Sequence, residues 1–521
     1  MKEPVNVRLC VVACERNVSD LLRTIAGAAA EADMIERRLD CLSDLTPATL
    51  HEVFAALPQR ESRPTIVTLR SPEEGGQNRM PRNERLAFWR SSIGRLMSGE
   101  HVLVDIEADI IQELAGQNDF ASVIDWRRVI CSFHDFSGAH PELQNIYDDL
   151  VATPAHILKI AVNAGDATDC IQVFQVLERA RRDGREMIAI AMGEAGIATR
   201  ILGPSRGAFL TYASVDDETA TAPGQLTARE LRQVYRIERI DRHTEVFGLI
   251  GRPVSHSVSP HIQNAAFDAT GLNAVYIPFE TLDAAAFMRR MVDPRSREID
   301  WNLRGLSVTA PHKSAVMAHL DWTDPIAKEI GAVNTIVVET GELRGYNTDA
   351  AAFITPLRGA LGSLSNLSCA IIGAGGAART AIWSLLQEGA AVSLFVRNPA
   401  TAGPIAKEFG VDCYQLQAAS FQNFAVVINA TPLGTAGERQ NETVADADQL
   451  AGVRLVYDLV YNPQQTRLLS EAVEAGCLTL GGLEMLLAQA AEQFELWTGT
   501  EAPVDVMREG AIQRLVSYGT P

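Results

Sequence analysis

The sequence predicts an α/β protein in two parts, an N-terminal (β/α)8 barrel followed by a module of two α/β domains. Three observations carry this. Short apolar runs alternate with helical segments eight times over residues 1–225. A strand–glycine-turn–helix pattern, CAIIGAGGAARTAIWSLLQEGA, begins beside Ser368. At 521 residues the chain is also too long for a single hydrophobic core.

The eight runs are Arg8–Cys14, Asp33–Leu42, Thr65–Arg70, His101–Glu107, Val129–Phe136, His156–Val162, Met187–Gly193 and Ala208–Val215. Amphipathic stretches such as Asn83–Met97 and Asp169–Arg181 lie between them. So many strand–helix pairs in such a span form a closed barrel of parallel strands.

Several runs carry charge where a buried strand should not. Glu36, Arg38 and Asp40 alternate along M-I-E-R-R-L-D, which puts them on one face of a strand. Lys159 sits inside HILKIAV, His134 closes ICSFHDF, and Asp105 and Glu107 end HVLVDIE. A buried charge costs several kcal/mol unless it is paired. Charges gathered toward the C-terminal ends of barrel strands therefore mark an active site. A lysine in apolar surroundings, near Arg or His cations, is expected to supply the neutral amine that attacks a ketone. His134, on the preceding strand, is expected to stand beside it.

Composition narrows the function. A net charge of −19 argues against nucleic acid as a partner, because phosphate binding needs clustered Lys and Arg. No apolar run approaches the roughly 18 residues of a membrane span. The start MKEPVNVRLCVVAC resembles neither a secretion signal nor a transit segment, so a cytoplasmic location is expected. The eight cysteines are scattered without a CxxC pair, which suggests neither a zinc site nor a disulfide framework. No metal is expected.

The segments ERRLD, TLRSPEEGG, VDIE, SFHDF, ILKIAV, AMGEAG followed by Arg200, and TAPGQ resemble type I 3-dehydroquinate dehydratases, in order across 1–225. The resemblance implies that Lys159 forms an imine with the substrate ketone. His134 would remove a proton from the acidified neighbouring carbon and help expel the hydroxyl as water, and Glu74 would orient His134. Glu36, Arg38, Arg70 and Arg200 would hold the substrate's hydroxyls and carboxylate. Thr221 and Gln225 would belong to a lid, with Ser71–Pro81 as a second cover. The family often has an aromatic or aliphatic residue where Arg37 stands, and Ser where Thr221 stands.

Leu226–Thr244 is charged and helix-prone and is expected to be a connector. The glycine turn then gives Gly373, Gly375 and Ala378 in a G-x-G-x-x-A arrangement, with Gly376 and Ala377 between them. Such glycines let a pyrophosphate approach a helix N-terminus, where amides and the helix dipole favour anions. The next strand, AVSLFVRN, ends in Arg397 where an NAD enzyme would place an acid, so NADP is the expected cofactor.

GRPVSHSVSP, GLSVTAPHK, GAVNT, GYNTDA, GAGGAAR, INATPLG, YDLVYNP and GGLEMLLAQ together resemble shikimate dehydrogenases, from Glu245 to near the C-terminus. The resemblance implies that Ser257, Ser259, Thr309, Asn334 and Gln489 bind the substrate. Lys313 and Asp349 would be the catalytic pair, with Thr431 among the cofactor-binding residues and Tyr461 and Gly482 near the nicotinamide. Departures from the family pattern are Val396-Arg397-Asn398, Thr401 and Thr435. The expected division is a barrel over 1–228, a connector over 229–244, a substrate domain over 245–350 completed by 484–521, and a Rossmann domain over 351–483.

The combined expectation is a biosynthetic enzyme that dehydrates 3-dehydroquinate and then reduces 3-dehydroshikimate to shikimate with NADPH. Two alternatives are a catabolic quinate or shikimate dehydrogenase fusion using NAD, and a non-catalytic sensor of the same metabolites. The sensor should lack one of Lys159, His134, Lys313 and Asp349, and all four are present.

Overall fold

The computed structural model describes residues 7–28, 30–45, 53, 63–116, 123–138, 142–216, 221–339, 341–418 and 420–519. The chain forms two compact units. The first is Met1–Glu245 with Ile277–Met291 and Arg297–Asn302, and the second is Val246–Tyr276, Val292–Ser296 and Leu303–Pro521.

In the first unit each expected run contributes a strand. They are β1 (Leu9–Ala13), β2 (Met34–Arg38), β3 (Thr65–Thr68), β4 (Val102–Glu107), β5 (Val129–Asp135), β6 (Ile157–Asn163), β7 (Glu186–Met192) and β8 (Thr211–Ala213). The order is β7-β6-β5-β4-β3-β2-β1-β8. Adjacent strands pair in parallel. The ring closes through a bridge between Met187 and Ala208, where Phe209 N donates to Met187 O at 2.8 Å. Alternation along the strands turns Cys10, Met34, Ile66, Ile130, Ile157, Ile188 and Tyr212 into the barrel. The outer helices Arg82–Met97 and Cys170–Arg182 bury Trp89 and Phe174 against the strands.

Two features differ from the sequence reading. The connector is not a continuous helix but a wide turn at Glu230–Val234 and a short 3-10 turn at Ile237–Arg239. Tertiary contacts outweigh its helix propensity, since Thr227 bridges to Ser214 and Arg232 pairs with Asp33 at 3.0 Å. A disulfide also joins Cys14 to Cys41, with 5.3 Å between the Cα atoms. Their separation in sequence hid this, because β1 and β2 are neighbours whose ends bring the two residues together.

A mixed sheet contains β9 (Glu245–Gly251), β10 (Ala274–Glu280), β11 (Leu303–Val308), β12 (Trp322–Thr323), β13 (Thr335–Glu339) and β14 (Glu342–Tyr346). Its order is β10-β9-β11-β13-β14-β12. A second sheet contains β15 (Ser368–Ile372), β16 (Ala391–Val396), β17 (Asp412–Gln415), β18 (Val426–Asn429), β19 (Leu455–Asp458) and β20 (Leu478–Leu480). It is parallel throughout, and its order is β17-β16-β15-β18-β19-β20. Counted from β15 this is 3-2-1-4-5-6, the doubly wound order whose crevice opens between the first and fourth strands.

The C-terminal helix Leu483–Thr498 returns to the mixed sheet, where Trp497 Nε1 donates to Ile336 O at 3.0 Å. A further helix, Val504–Gly519, follows it rather than one helix continuing. Gly499, with φ of 64°, makes the break. No helix among the described residues is long and apolar enough to cross a membrane.

The Trp497 indole lies flat against β11 at Gly305, where a Cβ would stand 2.3 Å from Nε1. Gly305→Ala should therefore destabilise the second unit by about 1–3 kcal/mol through overpacking. Its urea midpoint, followed by hydrogen exchange in β11 and β13, should fall. An unchanged midpoint would show that the indole moves aside freely.

Candidate active sites

In the barrel, alternation sends Glu36 and Thr68 inward with Ser132, His134, Lys159 and Tyr212. Lys159 is 4% exposed. Its Nζ donates to Asp105 Oδ2 at 2.8 Å and to Tyr212 Oη at 3.0 Å, with Glu36 Oε1 at 3.9 Å. The expected cationic surroundings are thus replaced at closest range by carboxylates and a phenol. Arg70 shares Asp105 Oδ2 at 2.8 Å and donates to Ser132 Oγ at 2.6 Å. Burial pushes the Asp105 carboxyl upward, but Arg70 and Lys159 outweigh it and hold the group well below the carboxylate range.

His134 is placed by Glu74, whose Oε2 lies 3.0 Å from Nδ1 and accepts the His134 backbone N–H at 3.0 Å. Burial, then the cations Arg70 and Lys159, holds the imidazole well below its ordinary 6.5. Burial pushes the Glu74 carboxyl up to about 8, with Arg70 opposing. At neutral pH the pair is thus uncharged, and an Nδ1–H donated to Glu74 leaves Nε2 as a free base.

Arg38 lies at the end of β2 and donates to both oxygens of Asp40 at 2.9 and 2.8 Å. Asp40 also accepts the Arg70 and Gln77 backbone amides, each at 3.1 Å. This anchors Ser71–Pro81, the segment expected to be a cover. Arg37 points the other way and is buried. Arg200 is buried in the short helix Ile197–Leu202. Its Nε has no hydrogen-bond partner among the described residues, and burial lowers the guanidinium to about 10. Thr221 N and Oγ1 donate to Gln225 Oε1 at 2.8 and 3.2 Å, so these two lid residues hold each other. Pro223 O accepts from Gly193 N at 2.9 Å, fastening the turn to the end of β7.

In the second unit a cavity of about 930 Å³ is lined by Ser257, Ser259, Thr309, Lys313, Asn334, Asp349 and Gln489. Ala377, Thr431, Tyr461 and Gly482 line the same space. Lys313 Nζ donates to Asp349 Oδ2. Asn334 is held by Thr348, whose Oγ1 accepts from Nδ2 at 2.9 Å and whose backbone N–H donates to Oδ1 at 2.9 Å. Ser259 N donates to Ser257 Oγ at 3.2 Å, and Gln489 Nε2 donates to Leu486 O at 2.9 Å.

The nucleotide turn lies beside this cavity. Gly373 has φ of 118°, and a Cβ there would stand 2.8 Å from Ala430 O. Gly375 caps the helix Gly376–Gln387 without a side-chain hydrogen bond, leaving first-turn amides for an anion. Ala378 is buried against the sheet. Arg397 stands exposed just past β16. These features fit a dinucleotide with its pyrophosphate at Gly373–Ala377 and its adenine ribose toward Arg397.

Comparison with known proteins finds relatives of both units. Residues 9–242 match the type I 3-dehydroquinase model, 249–336 the shikimate dehydrogenase substrate binding domain, and 482–509 the shikimate 5'-dehydrogenase C-terminal domain. The bifunctional 3-dehydroquinate dehydratase/shikimate dehydrogenase of Arabidopsis thaliana is 34% identical over 91% of this chain and 79% of that one. The chain belongs to this bifunctional family. A shikimate dehydrogenase (NADP(+)) of Methanopyrus kandleri is 39% identical over 53% of this chain and 98% of its own. Among solved structures, the dehydroquinate dehydratase and shikimate dehydrogenase from S. pombe is 25% identical. It covers 97% of this chain and 98% of its own, with a TM-score of 0.42.

Two parts of the dehydratase site were not assigned from sequence. Asp105 was visible as a strand-end charge, but its contact with Lys159 needed the barrel. Tyr212 carried only the period-2 signal of β8, which any core aromatic shares.

The Glu74 carboxyl gives a test of this electrostatic arrangement. Its folded value of about 8 lies above the ordinary 4.5. It therefore contributes stability below about pH 4.5 that is lost as pH rises through 8. Glu74→Gln has no such proton to lose. Between these limits the wild-type barrel should lose stability relative to the variant, read from hydrogen exchange of β5 amides. Parallel pH curves would contradict the raised value.

Proposed function

We propose that this chain converts 3-dehydroquinate to 3-dehydroshikimate in the barrel, and reduces that product to shikimate with NADPH in the second unit. The observation that carries the first step is Lys159, a buried amine held by Asp105 and Tyr212 with a neutral imidazole nearby. Lys159 attacks the substrate ketone and forms an imine. The iminium draws electrons from the adjacent carbon, and His134 Nε2 takes its proton. The same imidazole then returns a proton to the departing hydroxyl, which leaves as water. Glu36, Arg38, Arg70 and Arg200 bind the hydroxyls and carboxylate, and Arg forks suit the carboxylate. Thr221 and Gln225 cover the site.

In the second step Ser257, Ser259, Thr309, Asn334 and Gln489 orient the ring. NADPH supplies the hydride when bound. Lys313, paired with Asp349, delivers the proton to the developing alkoxide. Gly373, Gly375, Gly376, Ala377 and Ala378 form the pyrophosphate seat, and Arg397 meets the 2′-phosphate. Thr431, Tyr461 and Gly482 border the nicotinamide. The same reading makes this a cytoplasmic enzyme acting on small anions, with a net charge of −19 that disfavours nucleic acid. Residues 1–228 form its dehydratase domain, and 351–483 its nucleotide domain.

Borohydride added with dehydroquinate should fix a mass adduct on Lys159. Its absence from that residue would overturn the imine assignment. Arg397→Ala should reduce the preference for NADP over NAD in shikimate oxidation by about tenfold, the loss of one charge-assisted contact of about 1.5 kcal/mol. An unaltered ratio of kcat/KM values would remove Arg397 from cofactor selection.

A further inference from the structure

We propose that Tyr212 is a catalytic residue of the dehydratase site, its hydroxyl relaying a proton from Lys159 Nζ to the substrate carbonyl oxygen as the imine forms. The inference rests on the imine reading of Lys159. Tyr212 sits on β8, paired with Cys10 of β1, and points into the barrel. Its Oη accepts from Lys159 Nζ at 3.0 Å, and the ring centroid lies 4.5 Å from the same nitrogen.

Imine formation needs a group beside the amine that can accept one proton and give another. Asp105 is ill suited, because Arg70 and Lys159 both donate to its Oδ2 at 2.8 Å and keep it charged. Glu36 Oε1 stands 3.9 Å from Nζ and accepts from Thr68 Oγ1 at 2.5 Å. Ser132 Oγ accepts from Arg70. Of the groups that hydrogen-bond Nζ among the described residues, the phenol alone is neutral and can both accept and donate. Burial, then Glu36, holds it well above its ordinary value, so it keeps its proton. Among the described residues no side chain or backbone oxygen accepts that Oη proton, which leaves it for a substrate oxygen.

The step balances. Lys159 reacts from its free-amine form, the ammonium having first lost a proton to water; the nitrogen adds to the carbonyl carbon, the C–N bond forms and the C=O π pair moves to oxygen. Oη passes its proton to that oxygen while taking one from Nζ. The product is a neutral carbinolamine, and the tyrosine returns to its starting form.

Tyr212→Phe keeps the ring over Nζ and removes only the relay. Rapid mixing of the full chain with dehydroquinate, followed by borohydride quench and mass analysis of Lys159, reads the rate of imine formation. The rate should fall about 10²-fold, a general acid–base contribution, with substrate affinity within twofold and the final adduct still on Lys159. An adduct that forms at the wild-type rate overturns the relay. So does a slower rate matched by an equal loss of substrate affinity, which would make Tyr212 a packing residue. If Tyr212→Phe does not fold, 3-fluorotyrosine at 212 keeps the hydroxyl and alters its acidity. A trapping rate equal to wild type there rejects the proposal, and a changed rate at unchanged affinity supports it. Should the wild type itself give no adduct on Lys159, the imine reading fails instead, a separate outcome.

Discussion

The barrel depends on one constraint: Arg70, Asp105 and Lys159 are all nearly sealed from water, and the two basic side chains share a single carboxylate oxygen there. Asp105 Oδ2 accepts from both at 2.8 Å. Removing Asp105 would leave buried basic groups without their carboxylate, at a cost of about 3–5 kcal/mol. The surrounding polar groups follow from this. Ser132 Oγ accepts a hydrogen bond from Arg70, Glu107 accepts from the Ser71 amide at 2.8 Å, and Asp40 accepts from the Arg70 amide. The chain leaving β3 is thereby fixed in direction, and that direction brings Glu74 to His134.

The second unit solves a similar problem with neutral groups. Tyr276 Oη donates to Ser307 Oγ at 2.7 Å, and Ser307 Oγ donates to Gln493 Oε1 at 2.8 Å. Gln493 Nε2 donates to Thr335 Oγ1 at 3.0 Å, and Thr335 Oγ1 donates to Asn334 Oδ1 at 2.8 Å. Each member is buried, so each bond is strong and each vacancy would be expensive. The chain begins at Tyr276 on β10, passes through Gln493 on the helix Leu483–Thr498, and ends at Asn334, which lines the cavity. That late helix thus acts as a structural member of a site whose other parts lie far earlier in sequence.

What could be read in advance followed periodicity and local motifs. The eight barrel strands were visible because alternation and apolar runs are local signals. The Gly373 turn was visible because its backbone admits only glycine. Lys159 and His134 stood out as polar residues in apolar strands, Glu74 was reached only through the family motifs, and the strand order brings the three together. The Cys14–Cys41 bond was not visible, since only the closing of neighbouring strands sets that distance. Nor was the connector's form, where the Arg232–Asp33 pair and the Thr227 bridge prevail over helix propensity. Tyr212 escaped because an inward aromatic looks the same whether it fills space or touches an amine.

Gly376 opens the nucleotide-binding helix, and a Cβ there would stand 2.8 Å from Lys313 Cδ. The first residue of the phosphate-binding helix and the aliphatic stem of the lysine paired with Asp349 are therefore in direct contact. A side chain at this position would press on the Lys313 stem, displacing it from Asp349 as it crowded the first turn of the helix. The helix start and the Lys313–Asp349 pair thus share one tolerance, set by the width of a missing methyl group. Neither can be redesigned as though the other were scenery.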